Sequence, residues 1–388
     1  MSAHASSPNV GQIRAKIHPA ARERSLLKGL VLVFSCALLY AGCFLATVLV
    51  PYELLRPPLA AVTGLTITFL FLQAHDACHD CLTPHRWLNA LLGRLLFLPA
   101  WHCYSGWVHG HNHVHHGWTN FLPTDYVWGP LSKADYDRLS PLARAYHRLG
   151  RWWPGFGVYY GIDILLGKIL WLQPEIRGRK RKLIWLADVL LVALGIVAWG
   201  AAIVALARHF QLAASPAWLI FWAQVVPFGV AMWLVGFITY LQHTHPKIAW
   251  FKDLGEWNFY NGQVLGTAHI RFPRRINAAT HFIMEHTAHH VDPRIPLFAL
   301  PAAQADLEQA FPHDVHDQVF TIRGFFYTQR VCQLYDFENH RWLNWRGEPT
   351  SSRTFQPGQT TDVAKLLATA PSTAPSSQPE TQPVAAAG

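Results

Sequence analysis

Charged side chains are scarce. Asp, Glu, Lys and Arg make up 14% of the 388 residues, while 51% are hydrophobic and Trp and Phe number 17 and 22. An ordinary soluble domain carries roughly 25% charge, so the shortage argues against a plain soluble fold and for a bilayer. Cysteine is also thin: Cys36, Cys43, Cys78, Cys81, Cys103 and Cys332 follow no disulfide-framework spacing. They read as reduced thiols, and a disulfide scaffold is excluded. Cys78 and Cys81 form a CxxC, but no second CxxC completes a structural zinc site. A removable signal peptide is not expected either, because no small-residue cleavage site follows a short apolar core. The net charge of +9 is not laid out as a nucleic-acid face. It gathers beside apolar runs, as in RGRKRK at 177–182, so the expected anionic partner is a membrane headgroup.

Long uncharged runs are what the sequence has instead. Residues 29–50 carry no charge over 22 positions, enough for a helix to cross roughly 30 Å of hydrocarbon. Residues 58–74 follow after a short turn, and a second pair occupies 183–207 and 217–241. The pattern predicts an all-α integral membrane fold, with four spans in two hairpins and a cytoplasmic helical cap. Pro227 should kink the fourth span, and Asp188 lies near one end of the third. The Lys/Arg excess lies in the N-terminal segment, the 75–182 loop and the segment after residue 241, which places these segments and both termini in the cytoplasm. Residues 87–101 and 154–172 carry Arg94, Asp163 and Lys168 and read as interfacial or re-entrant helices. Three regions result: a basic segment at 1–28, a membrane domain at 29–349, and a Pro/Ser/Thr/Ala-rich tail at 350–388 expected to be disordered.

The 23 histidines are the other excess. His75 and His79 follow the second span at one-turn spacing, and His243 and His245 end the fourth. His111, His113, His115 and His116 lie in the loop between the hairpins, and His281, His286, His289 and His290 lie after the fourth span. A lone HxxxH is more often packing than ligation. Four clusters on one membrane face supply about nine imidazoles, too many for one ion and about right for two. Imidazole suits Zn, Cu, Fe and Ni rather than Ca or Mg. A pair of irons can activate O2, and apolar spans imply a substrate arriving from the bilayer. Together these suggest oxidation of an unactivated C–H bond in a lipid. A histidine-rich metal transporter is the rival of another class, but the spans contain no histidine to line a path.

With these residues placed, the sequence resembles the membrane fatty acid desaturases, most closely the Δ12 acyl-lipid group, over roughly residues 30–310. HDACH, HNHVHH and HTAHH resemble the family's three histidine boxes, and TYLQHTHP at 239–246 is similar to a phrase ending the fourth span. The resemblance implies a non-haem di-iron centre, O2 as co-substrate and a fatty acyl lipid as substrate. It also implies a separate electron donor of ferredoxin, rubredoxin or cytochrome b5 type, as no HPGG-like haem loop or cluster-binding Cys set is present. The implied ligands are His75, His79, His111, His115, His116, His243, His286, His289 and His290, with His113 and His245 secondary candidates. Asp76, Asp80 and Asp125 are candidates to accept the second imidazole N–H of a ligand, with solvated carboxylates the plainer reading. The second box departs from the usual HxxHH: Asn112 stands three residues before His115, and the available pattern is His111-x3-His115-His116. On an α-helix, positions i and i+4 share a face, which makes His111 and His115 the expected pair. A lipid hydroxylase, ketolase or epoxygenase on the same scaffold is the alternative activity. The expected setting is a bacterial inner membrane.

Overall fold

The computed structural model describes residues 8–171, 173 and 176–356. Most are helical. Those that matter for function are α1 (Val10–Arg14), α2 (Leu26–Leu49), α3 (Arg56–Cys78), α4 (Arg86–Phe97), α5 (Pro141–Arg151), α6 (Arg179–His209), α7 (Val226–His243) and α8 (His286–Val291). Four helical segments are long and apolar enough to cross a membrane: Leu26–Leu49, Glu53–Cys78, Arg179–His209 and Pro216–His243. They coincide with the four uncharged runs and extend past them, because polar caps and charged first turns continue each helix beyond its apolar part. On α6, Leu183, Leu186, Leu190, Leu194 and Val197 all stay exposed. An apolar face of that extent is what lipid covers.

The span helices meet through small and hydroxyl residues. Thr47 on α2 and Thr63 on α3 share a buried hydrogen bond, oxygen to oxygen 2.9 Å. Gly64 lets α3 touch α7, since a Cβ there would lie 2.6 Å from Val230 Cβ and 2.7 Å from the Pro227 carbonyl oxygen. Buried Arg56 caps α2, donating to the carbonyls of Thr47 at 2.7 Å, Val48 at 3.1 Å and Val50 at 2.9 Å. Those carbonyls have no partner within their own helix, and a cation at a helix C-terminus is favourable. Pro227 follows a five-residue π-helical turn at Phe221–Val225, which absorbs the hydrogen bond that proline cannot donate. Asp188 is buried within α6 and bound by Arg94 of α4 at 2.7 Å and 3.3 Å and by the Ser105 N–H at 3.0 Å.

Helices alone do not account for the chain. Strand β1 (Ala268–Arg271) pairs in parallel with β2 (His316–Val319), and β3 (Leu334–Asp336) pairs antiparallel with β4 (Arg341–Leu343). Packing also continues past residue 349. The Thr350 N–H reaches the Trp342 carbonyl at 2.9 Å, and Phe355 is buried against Phe251 and His340. Residues 350–356 of the expected tail are therefore packed, because Phe355 has an aromatic pocket to fill; residues 357–388 lie outside the described set. The N-terminal segment, read from sequence as merely basic, is tied down. Arg14 donates to the Val291 carbonyl at 2.8 Å and Arg22 to the Asp292 carboxylate at 2.7 Å. Both partners lie at the end of α8.

Candidate metal centre

Helix α3 carries His75 inside its last turn and ends on His79 as C-cap. Helix α7 ends on His243, and α8 presents His286, His289 and His290. The second histidine stretch is a π-helix, Val108–His115, and the His116 N–H bonds the His111 carbonyl at 2.9 Å, five residues back. In such a turn, positions i and i+5 share a face. His111 and His116 therefore point into one pocket and His115 into another. The expectation of an α-helical His111/His115 pair is corrected: the longer spacing is taken up by the π turn, and the first and last histidines of the stretch end up together.

Nine histidines form two groups. His75, His79, His111, His116 and His289 make one, and His115, His243, His286 and His290 the other, with one ring nitrogen from each residue lying within 4.8 Å of the rest of its group. The groups adjoin, with the His116 and His290 rings stacked at 4.2 Å and those of His111 and His115 at 5.5 Å. Within them Nε2 atoms face each other: His75 and His111 at 2.8 Å, His111 and His116 at 3.1 Å, His115 and His243 at 3.1 Å, His243 and His286 at 2.8 Å. Burial, aided by the facing imidazoles, holds His79, His111, His116, His286, His289 and His290 well below the ordinary histidine range. These rings are neutral at pH 7. Buried nitrogens of His79, His289 and His290 have no hydrogen-bond partner, which is costly unless something accepts their lone pairs.

The surroundings fix which nitrogen offers that lone pair. His115 Nδ1 donates to Asp125 Oδ1 at 3.0 Å, and that carboxylate is held by the N–H groups of Asn120 at 2.9 Å and Val127 at 3.0 Å. His290 Nδ1 donates to Gln263 Oε1 at 2.8 Å, while Gln263 Nε2 donates to the His116 carbonyl at 2.8 Å and Thr119 Oγ1 to the His115 carbonyl at 2.7 Å. In both rings the Nε2 lone pair is left pointing inward, as a metal ligand requires. The two pockets fit a pair of imidazole-loving metal ions and contain no carboxylate to favour Ca or Mg.

The remaining candidates separate cleanly. Asp76 lies beside the centre, Oδ1 3.8 Å from His75 Nδ1 and Oδ2 accepting from the Leu297 N–H at 2.9 Å. Asp80 does not belong: it turns outward and pairs with Arg86 at 3.0 Å. His113 is exposed, and neither it nor His245 joins either group. His245 Nε2 donates to Gln318 at 2.7 Å. His281, grouped with the third cluster by sequence, lies apart as well, with Nε2 3.6 Å from Cys36 Sγ. Gln263 and Thr119 carry no motif and were not expected.

His269 was not expected either. Its Nδ1 lies 2.5 Å from Glu308 Oε1 and 3.8 Å from Asp317, and its Nε2 contacts Glu285, the residue before His286. His269, Glu308 and Asp317 are close enough to hold a metal, but both ring nitrogens face carboxylates, so the ring is protonated and has no lone pair to give. Burial opposes that charge, yet Glu285 and Glu308 outweigh it and raise His269 from 6.5 to about 9. A pKa raised on folding contributes stability that is complete below the unfolded value near 6.5 and lost as pH rises through about 9. The melting temperature of metal-free protein in detergent should fall across that window, and His269→Gln should flatten the slope. Equal slopes in both proteins would contradict the ion cluster.

An apolar cleft reaches the histidines. Phe71, Trp107, Tyr126, Tyr160, Ile164 and Ile238 line it together with His75, His111, His115, His243 and His286. Its free volume is about 50 Å³, a slot rather than a chamber. Gly110 is required there, because a Cβ would stand 2.4 Å from the Tyr126 hydroxyl. Of the tryptophans near the boxes, Trp107 lines the cleft and stacks on His111 at 4.7 Å, Trp101 packs on Phe228 at 3.8 Å, and Trp118 packs on Trp257 at 5.1 Å.

Four helices of membrane length and apolarity thus carry a buried, two-pocket polyhistidine cluster that could hold metal, beside an apolar slot. Residues 52–321 match the family model described as fatty acid desaturase, and the chain belongs to that family. It is accordingly an oxidoreductase. It is 29% identical over 312 residues to an sn-1 oleoyl-lipid 12-desaturase of Picosynechococcus sp., covering 78% of this chain and 83% of that protein. It is 30% identical over 292 residues to a chloroplastic omega-6 fatty acid desaturase of Spinacia oleracea, covering 74% of this chain and 60% of the longer spinach protein. An sn-1 oleoyl-lipid 12-desaturase of Synechocystis sp. is 25% identical over 284 residues, covering 71% and 75%.

Proposed function

We propose that the protein desaturates a lipid-linked acyl chain at two irons, converting a monoenoic to a dienoic chain in a Δ12-type reaction. The observation that carries this reading is the pair of adjoining imidazole groups, five and four strong, lining an apolar slot. The names of the relatives from Picosynechococcus and spinach agree with it. Overall, one –CH2–CH2– unit, O2, two electrons and two protons give –CH=CH– and two waters. The electrons come from a separate carrier of ferredoxin, rubredoxin or cytochrome b5 type. Bound iron supplies O2 activation and the power to oxidise an unactivated C–H bond, which no side-chain acid or base has.

The protein's own residues do the rest. His75, His79, His111, His116 and His289 hold one iron, and His115, His243, His286 and His290 the other. Asp125 and Gln263 keep His115 and His290 in the ligating tautomer, and Asp76 stands ready to orient His75. The slot dehydrates the chain and admits it in single file, so the depth of insertion sets which carbons meet the centre. The spans form two hairpins under a cytoplasmic cap in a bacterial inner membrane, with both termini cytoplasmic. The flanking Lys/Arg bias and the anchoring of Arg14 and Arg22 beside α8 support that orientation.

Membranes containing the protein, given oleoyl lipids, O2 and a reduced carrier, should yield chains two mass units lighter, and none without O2. A hydroxylated product sixteen units heavier, or equal turnover without O2, would overturn the reading.

A further inference from the structure

A second cavity, apart from the histidine centre, has a different chemistry. Helix α5 places Arg144, Arg148 and Arg151 along one side of a space of about 640 Å³, facing Gln329, Gln333 and Trp345. Among the described residues no acidic one lines it. Among the described residues none of the three arginines is ion-paired. Arg148 Nε donates to the Tyr136 hydroxyl at 2.6 Å, Arg151 to the Trp128 carbonyl at 2.6 Å, and Arg144 to the Asp137 carbonyl. The Arg144 Nε is buried with no hydrogen-bond partner, and Arg151 is only 6% exposed. Three like charges at helical spacing repel, and a buried guanidinium without a counter-ion is unfavourable. The neighbouring His147 adds no charge, because burial and Arg151 push it down to about 3. The arrangement is short of an anion.

Its position says which anion. A smaller space of about 250 Å³ shares Arg151 with this cavity and shares Tyr126, Trp128, Tyr159 and Ile164 with the apolar slot. Among the described residues Asp163 is the one acidic residue lining that smaller space, beside Lys168, and it accepts from the Tyr146 hydroxyl at 2.6 Å. The middle space thus shares lining residues with both the arginine cavity and the histidine-lined slot. Exposed Trp152 and Trp153 follow α5, and the Trp153 carbonyl accepts from Trp233 on α7 at 2.7 Å. Indole side chains, apolar with one polar N–H, favour a boundary between lipid and water.

Resting on the desaturase reading, we propose that Arg144, Arg148 and Arg151 bind a phosphate group of the acyl donor, so that the chain enters the slot with its charged end held on α5. Guanidinium forks suit phosphate oxygens. The phosphate belongs either to a phospholipid headgroup or to an acyl thioester carrier such as coenzyme A.

Full-length protein in nanodiscs of uncharged galactolipid provides the test, with oleoyl chains supplied as phosphatidylglycerol, coenzyme A thioester or galactosyl diacylglycerol. Arg144→Gln and Arg148→Gln should each raise KM for a phosphate-bearing donor about tenfold, the loss of one charge-assisted hydrogen bond. The kcat for that donor and the KM for the galactolipid should stay as they were, and the donor whose KM moves identifies the source. With unaltered protein, inorganic pyrophosphate should compete with phosphate-bearing donors and not with galactolipid. Binding of dioctanoyl phosphatidylglycerol or octanoyl coenzyme A, matched to the donor whose KM moves and followed by tryptophan fluorescence without turnover, should weaken in both variants. Unchanged binding, or equal KM shifts for charged and uncharged donors, would overturn the site. Absence of dienoic product from every donor would instead sink the desaturase reading, while the binding arm still decides the site.

Discussion

A His111→Ala/His116→Ala double variant should retain one of two irons, whereas His115→Ala/His116→Ala should lose both. The prediction follows from the π-helical second box, which puts His111 and His116 in one pocket and His115 in the other. Each of the three single substitutions, His111→Ala, His115→Ala and His116→Ala, should lower turnover by at least about 100-fold, the upper end of what removing a ligand's outer partner costs. His113→Ala, at an exposed ring outside both groups, should leave turnover and iron content unaltered. Iron analysis of the purified variants checks this directly. Retention of one iron by a His111/His115 double variant, with both lost from His111/His116, would restore the α-helical pairing and refute the π-turn assignment.

Asp125→Asn should weaken iron binding by roughly 10- to 100-fold. The Asp125 carboxylate accepts three hydrogen bonds, from His115 Nδ1 and the N–H groups of Asn120 and Val127. An amide cannot accept all three without turning a donor toward one of them, the Asn120 N–H if its oxygen keeps the Oδ1 place, and as a neutral group it holds the His115 Nδ1–H more weakly. Asp80→Asn is the matched control, because Asp80 only pairs with Arg86 at the surface. Chelator competition on both variants measures the effect, and equal affinities would show that Asp125 does not set the ligand.

The spans were legible in the sequence because an uncharged run of 22 residues has few other uses. Residue types and spacing also marked the nine histidines that the fold gathers into two groups, since His75 and His79 cap one span and His243 ends another. What composition could not reveal was their partition. A backbone hydrogen bond that slips from four residues back to five leaves no trace in residue type, and only the extra residue between His111 and His115 hinted at it. Gln263 and Thr119 were silent for a different reason: each is an ordinary polar residue until folding brings it to His290. His269 is likewise explained by Glu285 and Glu308, which sit 16 and 39 residues away in sequence. The arginine face of α5 has a readable helical period, but the walls that make it a cavity come from Gln329, Gln333 and Trp345. Strands β1 and β2 are four residues each and pair across a long connection, too short for a periodic signal.

The most direct test of the account is the iron content of purified, active protein, measured per chain alongside turnover. Two irons are predicted, with activity lost on chelation and recovered when both return. Full turnover with a single iron, or with none, would contradict the two-pocket centre.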